Sequence, residues 1–150
     1  MNALAQLITP NNISLDIDVS SRDQLFSYIA NLFEKNHAIS ADIVKTCLAE
    51  REALGSTSLG SGVAIPHGRV KQLTQAHIGF VRLKNGIDFQ SPDQQPVKAI
   101  VIMLVPEAAT QLHLDILAQI AQMLSDVKTK EFLLNEPSPD KIYQLLTAWN

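Results

Sequence analysis

The 150-residue chain is short of several things, and each shortage removes a class of protein. Cys47 is its one cysteine, so no disulfide framework and no thiolate metal cluster is available to it. No stretch reaches the ~20 consecutive apolar residues that cross a bilayer, which argues against membrane insertion. The opening MNALAQLITP lacks the basic and long apolar parts of an export signal, so the cytoplasm is the expected compartment. The Asn12-Ile13-Ser14 sequon carries no meaning in that compartment. Twelve basic residues face fifteen acidic ones, and the basic ones are scattered rather than gathered into a stripe. Nucleic acid is therefore not an expected partner. Internal repeats, low-complexity tracts and charge blocks are also missing, leaving one globular domain over residues 1–150.

What is present patterns into an α/β chain. Ile13, Leu15 and Ile17 alternate with polar residues as in a half-buried strand. Ser21 and Gln24 form a capping-box pair ahead of a helix to about Asn36, with Leu25, Tyr28, Ile29, Leu32 and Phe33 inward. Ser40 caps a second helix that Gly55 ends. Three apolar runs follow, Val63–Ile65, Ile78–Leu83 and Ala99–Val105, the last continuous as in a central strand covered on both faces. Helical spacing resumes from Gln111 to Ser125. Asp126 caps a further helix to about Asn135, and Ser138-Pro139 opens a final one. This alternation predicts a sheet with helices on both faces.

Chemistry concentrates in GSTSLGSGVAIPHGR, residues 55–69, whose first half reads as a loop from its Gly, Ser and Thr content. Gly55-x4-Gly60 begins like a phosphate-binding loop, but Ser61 stands where lysine is required. Gly60-Ser61-Gly62 is a lone G-x-G without dinucleotide-binding spacing, and no G-x-S-x-G elbow surrounds Ser58 or Ser61. His67 remains, on a glycine-flanked turn after a strand, aimed by Pro66. Glycine-rich backbone can converge N–H groups on an anion, with Gly60 and Gly62 as candidates and the Ser56 and Thr57 hydroxyls as further donors. A neutral imidazole is a nucleophile near pH 7. The plainer reading is a solvated turn histidine.

His113 opens the apolar stripe Leu117, Ile120, Leu124, at a helix N-terminus where an anion is favoured. Its plainer reading is a histidine satisfied by a local backbone bond. Arg51 ends the second helix, either as a phosphate fork or as a cation complementing the helix dipole. His113 and Asp115, two apart, face differently, and no H-x3-H exists, so a metal is not expected. His37 and His77 read as structural, and Cys47 as an inert core residue.

Together, R-E at 51–52, GSTSLGSGVAIPHGR at 55–69, LVPE at 104–107 and HLDILAQIA at 113–121 form an ordered set. With it the whole chain resembles the fructose/mannitol-type enzyme IIA proteins of the phosphoenolpyruvate-dependent phosphotransferase system, with stand-alone nitrogen-regulatory enzyme IIA as the nearest type. The resemblance implies a mixed sheet flanked by helices, a phosphohistidine at His67, His113 beside it and Arg51 as phosphate partner, without a cofactor. It implies a histidine phosphocarrier protein as phosphoryl donor. Onward partners would be regulatory targets, such as a potassium transporter or sensor kinase, or a IIB domain in sugar uptake. The chain would then be a phosphotransferase component; a binding module never phosphorylated is the third reading. Ser58 stands where the family pattern has glycine, which would strain a left-handed turn there.

Overall fold

Helix starts in the computed structural model, which describes residues 2–150, follow local polar chemistry. Before α1 (Arg22–His37) the Ser21 hydroxyl accepts from Gln24 N–H. The Gln24 carbonyl accepts from Ser20 rather than Ser21, so the box closes one residue early. Ser40 makes no such bond at α2 (Ala41–Ala53). There the Glu34 carboxylate reaches across from α1 to take Ala41 N–H. After α3 (Gln111–Ser125), Asp126 caps α4 (Val127–Asn135) through Thr129 N–H. Ser138 and Pro139 open α5 (Pro139–Ala148). A short 3-10 turn over Ala3–Gln6 precedes the first strand.

Six strands share one sheet: β1 (Ile8–Ile17), β2 (Ser58–Gly60), β3 (Val63–Ala64), β4 (His67–Val70), β5 (His77–Ile87) and β6 (Val97–Pro106). Their order is β1-β5-β6-β3-β2, with β4 also on β6. Pairing is parallel for β1/β5, β3/β6 and β4/β6 and antiparallel for β5/β6 and β2/β3, so the sheet is mixed. The continuous apolar run on β6 is central, and each residue from Ala99 to Leu104 is at most 1% exposed. Its alternate side chains supply two cores. Ile100, Ile102 and Leu104 pack with α1 and α2, whereas Ala99, Val101 and Met103 pack with α3, α4 and α5. Helices thus cover both faces. No helix of the described residues is long and apolar enough to cross a membrane.

The stretch from Gly55 to Gly62 is not wholly a loop. Ser58–Gly60 pairs with β3 through a turn in which Ser61 and Gly62 both have positive φ, 55° and 86°. Two-residue hairpin turns favour that pair of angles, which glycine adopts without strain. What makes it a strand is distant: the Ser58 hydroxyl donates to Val63 O and meets Ser91 Oγ at 2.7 Å. Ser58 itself has no positive φ, so the strain expected from the missing glycine does not arise.

β3 stops at Ile65–Pro66, and β4 resumes along the same edge of β6. Pro66 has no N–H for a ladder. The Ile65 amide and the Pro66 carbonyl at the break are still satisfied, since Ile65 N–H reaches Thr57 O and Pro66 O accepts from Met103. His67 is therefore the first residue of a strand rather than part of a turn.

Candidate functional site

α2, β4 and α3 converge on a cavity of about 420 Å³ that holds Arg51, His67 and His113. Each arrives from a different element. Arg51 lies in the last turn of α2, His67 opens β4 at the strand break, and His113 lies in the first turn of α3. Met103 of β6 and Leu117 of α3 add apolar wall, and Leu54 and Leu114 stand at the mouth, 84% and 54% exposed.

The half-buried His67 ring is held by both nitrogens. Nδ1 lies 2.8 Å from Ile65 O, which can only accept, so Nδ1 carries the proton. Nε2 keeps its lone pair and accepts from Arg51 Nε at 3.4 Å. Burial depresses the His67 pKa first; the Ile65 bond raises it, Arg51 lowers it and Glu52 raises it, with a net fall. Neutral imidazole with a bare Nε2 is thus the resting form near pH 7. Arg51 also donates through Nη1 to Gly55 O, just past the end of its own helix, while its Nε faces the ring.

His113 has the opposite tautomer. Its Nδ1 accepts from Thr110 N–H at 3.1 Å, which leaves the proton on Nε2. The local backbone bond and a place in the cavity coexist in this residue.

Ser56, Thr57, Gly60 and Gly62, expected as phosphate donors, do not line the cavity. The Ser56 hydroxyl donates to Phe89 O and accepts from Ser58 N–H. Thr57 gives both its N–H and its hydroxyl to the Glu52 carboxylate. Gly60 N–H is turned to Ser58 Oγ, and Gly62 O accepts from Lys98 and Ala99 on β6. The donors of Ser56, Thr57 and Gly60 are thus engaged within the protein, since a turn that pairs with a sheet must satisfy its polar groups. Cys47 likewise departs from expectation. It is only partly buried and lines the cavity, with Sγ donating to Arg69 O, while burial pushes its thiol pKa up. Glu52 belongs to the R-E pair of the motif set, but motif reading gives it no role of its own. Its one outward signal is a place beside Arg51, five residues before Thr57.

A half-buried histidine bonded to an arginine, with a second histidine lining the same cavity, thus stands at a strand break of a mixed sheet covered by helices on both faces. Residues 6–149 match the family described as "Phosphoenolpyruvate-dependent sugar phosphotransferase system, EIIA 2", and the chain belongs to that family. Within it, the chain is 34% identical over 147 residues to a nitrogen regulatory protein of Pseudomonas aeruginosa, covering 97% of this chain and 96% of that protein. It is 38% identical to the crystal structure of nitrogen regulatory protein IIA-Ntr from Neisseria meningitidis, with a TM-score of 0.92 over 97% of this chain and all of that one. The crystal structure of IIA mannitol from Escherichia coli shares the fold, at a TM-score of 0.78 and 20% identity over 93% of this chain and 98% of that one.

Proposed function

We propose that this chain is a phosphohistidine carrier whose His67 Nε2 takes a phosphoryl group from a histidine phosphocarrier protein, and whose phosphorylation state regulates other proteins. The observation that carries the reading is the bare Nε2 of a neutral ring, fixed by Ile65 O and set beside Arg51. In the transfer, the Nε2 lone pair forms a P–N bond as the donor's P–N bond breaks and its pair returns to the donor imidazole. Bonds of the same kind form and break, so the step runs near balance in both directions. Phosphoryl transfer asks mostly for in-line positioning and neutralised oxygens. Arg51 supplies the charge and His113 Nε2–H a directed donor, with the Nδ1 proton of the phosphorylated ring stabilised at Ile65 O.

Exposed Leu54 and Leu114 at the mouth suit docking of a protein rather than entry of a small metabolite. A regulatory output is favoured by the likeness to nitrogen regulatory proteins, at 34% and 38% identity. Phosphate adds up to about two negative charges there, enough to change which surface fits the mouth. Potassium transporters or sensor kinases are the target classes to try. A second reading, delivery to a IIB domain for sugar uptake, is favoured by the match to a fructose-specific EIIABC component of Bacillus subtilis, 26% identical over 95% of this chain.

The test is intact-mass measurement after incubation with phosphoenolpyruvate and the upstream carriers. One phosphoryl group is expected on the wild type and none on His67→Ala; an unlabelled wild type or a labelled variant defeats the reading. His113→Ala should fold and accept phosphate about a hundredfold more slowly, the usual loss for one directed donor. Discharge by IIB domains plus sugar, in place of an effect on regulatory targets, would select the second reading.

A further inference from the structure

Glu52 is the one buried carboxylate among the described residues, at 4% exposure. It follows Arg51 on α2, and successive helical residues point about 100° apart. Arg51 therefore turns into the cavity while Glu52 turns inward, away from the mouth. There its two oxygens take the Thr57 N–H and the Thr57 hydroxyl, and Arg22 of α1 stands 3.7 Å from Oε2. Arg22 Nη1 is itself buried and has no hydrogen bond, so this ion pair is its compensation. The guanidinium also lies over the Phe89 ring at 5.6 Å.

These contacts close a ring of chain. Glu52 fastens the end of α2 to Thr57, and Thr57 O holds Ile65 N–H, two residues before His67. The Ile65 carbonyl then sets the imidazole. Arg51 and His67 are thus connected through Glu52, Thr57 and Ile65 as well as by their direct contact.

We propose that Glu52 is the positioning residue of the site: its carboxylate, bonded to Thr57 and paired with Arg22, locks the span from Arg51 to His67. The proposal deepens the phosphohistidine reading and rests on it for its purpose, although its physical content concerns the unphosphorylated protein. The groups that act on the ring's charge are named by the structure: burial and Arg51 lower the His67 pKa, and the Ile65 bond and Glu52 raise it. Glu50 and Arg69 also border the cavity. Through its pair with Arg22, Glu52 also ties α1 to the end of α2 that carries Arg51.

The experiment is an NMR titration of the His67 ring in the full, unphosphorylated chain, beside intact-mass labelling of the wild type. Glu52→Gln keeps the side-chain shape and an acceptor for Thr57 but removes the charge. The His67 midpoint should fall, because the negative charge that favours the protonated ring is gone. Arg22→Met removes the opposing charge, and the midpoint should rise. Rotation of a ring by loose packing would not produce shifts of opposite sign. A midpoint in folded Glu52→Gln equal to or above the wild type overturns the proposal. If that variant does not fold, an unchanged or lowered midpoint in Arg22→Met overturns it instead. An unlabelled wild type would defeat the carrier reading while leaving these titrations to be judged on their own.

Discussion

Around His67 the tightest contact is made by a residue with no side chain. A Cβ built on Gly68 would lie 2.3 Å from Cys47 Sγ, well inside van der Waals distance. The strand that carries His67 is therefore pressed against α2 at the next residue, which keeps Arg51 within reach of Nε2. Gly68→Ala must push β4 from α2 or drive the thiol off its rotamer. A loss of about 1–3 kcal/mol in denaturant stability is expected, as for other overpacked sites. Cys47→Ala removes Sγ and leaves the next atom, Cys47 O, at 3.6 Å, an ordinary contact. The double variant should recover most of the loss, measured as a coupling energy in a double-mutant cycle. Equal stability for Gly68→Ala and the wild type would mean the two elements are not pressed together.

Among the elements, α4 ends on a strand. Arg82 of β5, 4% exposed, donates through Nη1 to Leu133 O at 2.9 Å, satisfying a carbonyl near the C-terminal end of that helix. Arg82→Met keeps the length but orphans the carbonyl, at a cost of about 1–3 kcal/mol. Faster hydrogen exchange in α4 than in α3 would be its signature; uniform protection would deny Arg82 the capping role. Helix starts were legible in the sequence because a cap is a local bond, as Ser21, Asp126 and Ser138 show. Ser40 looked equivalent, yet its place is taken by Glu34 from another helix, which spacing along one segment does not reveal. The strand at Ser58–Gly60 was hidden for the same reason: it exists through β3 and Ser91. At the site, the three side chains that meet in the cavity carried motif signals, whereas the engagement of Ser56 and Thr57 depends on Phe89 and Glu52.

Across the whole molecule, three of the four histidines favour the neutral form. Burial lowers the pKa of His37 and His67, and burial together with His37 lowers that of His77. The His37 and His77 rings lie 4.4 Å apart and tilted by 42° between the end of α1 and the start of β5, with Asn12 bonded to His37. A base with a folded pKa below its unfolded value contributes stability above the unfolded value, near 6.5, and loses it as pH falls through the folded value. The melting temperature should therefore drop between neutral pH and about pH 5, and His77→Gln should flatten that drop by relieving the pair. An unchanged slope in the variant would show that the paired rings titrate freely.

His67 stands on the sheet, its guanidinium neighbour hangs from the layer over one face, and His113 from the layer over the other. The proposed carriage of phosphate on His67 accordingly demands that both hydrophobic sandwiches be intact at once. Peeling away either sheath of helices would silence the imidazole before the sheet itself had come apart.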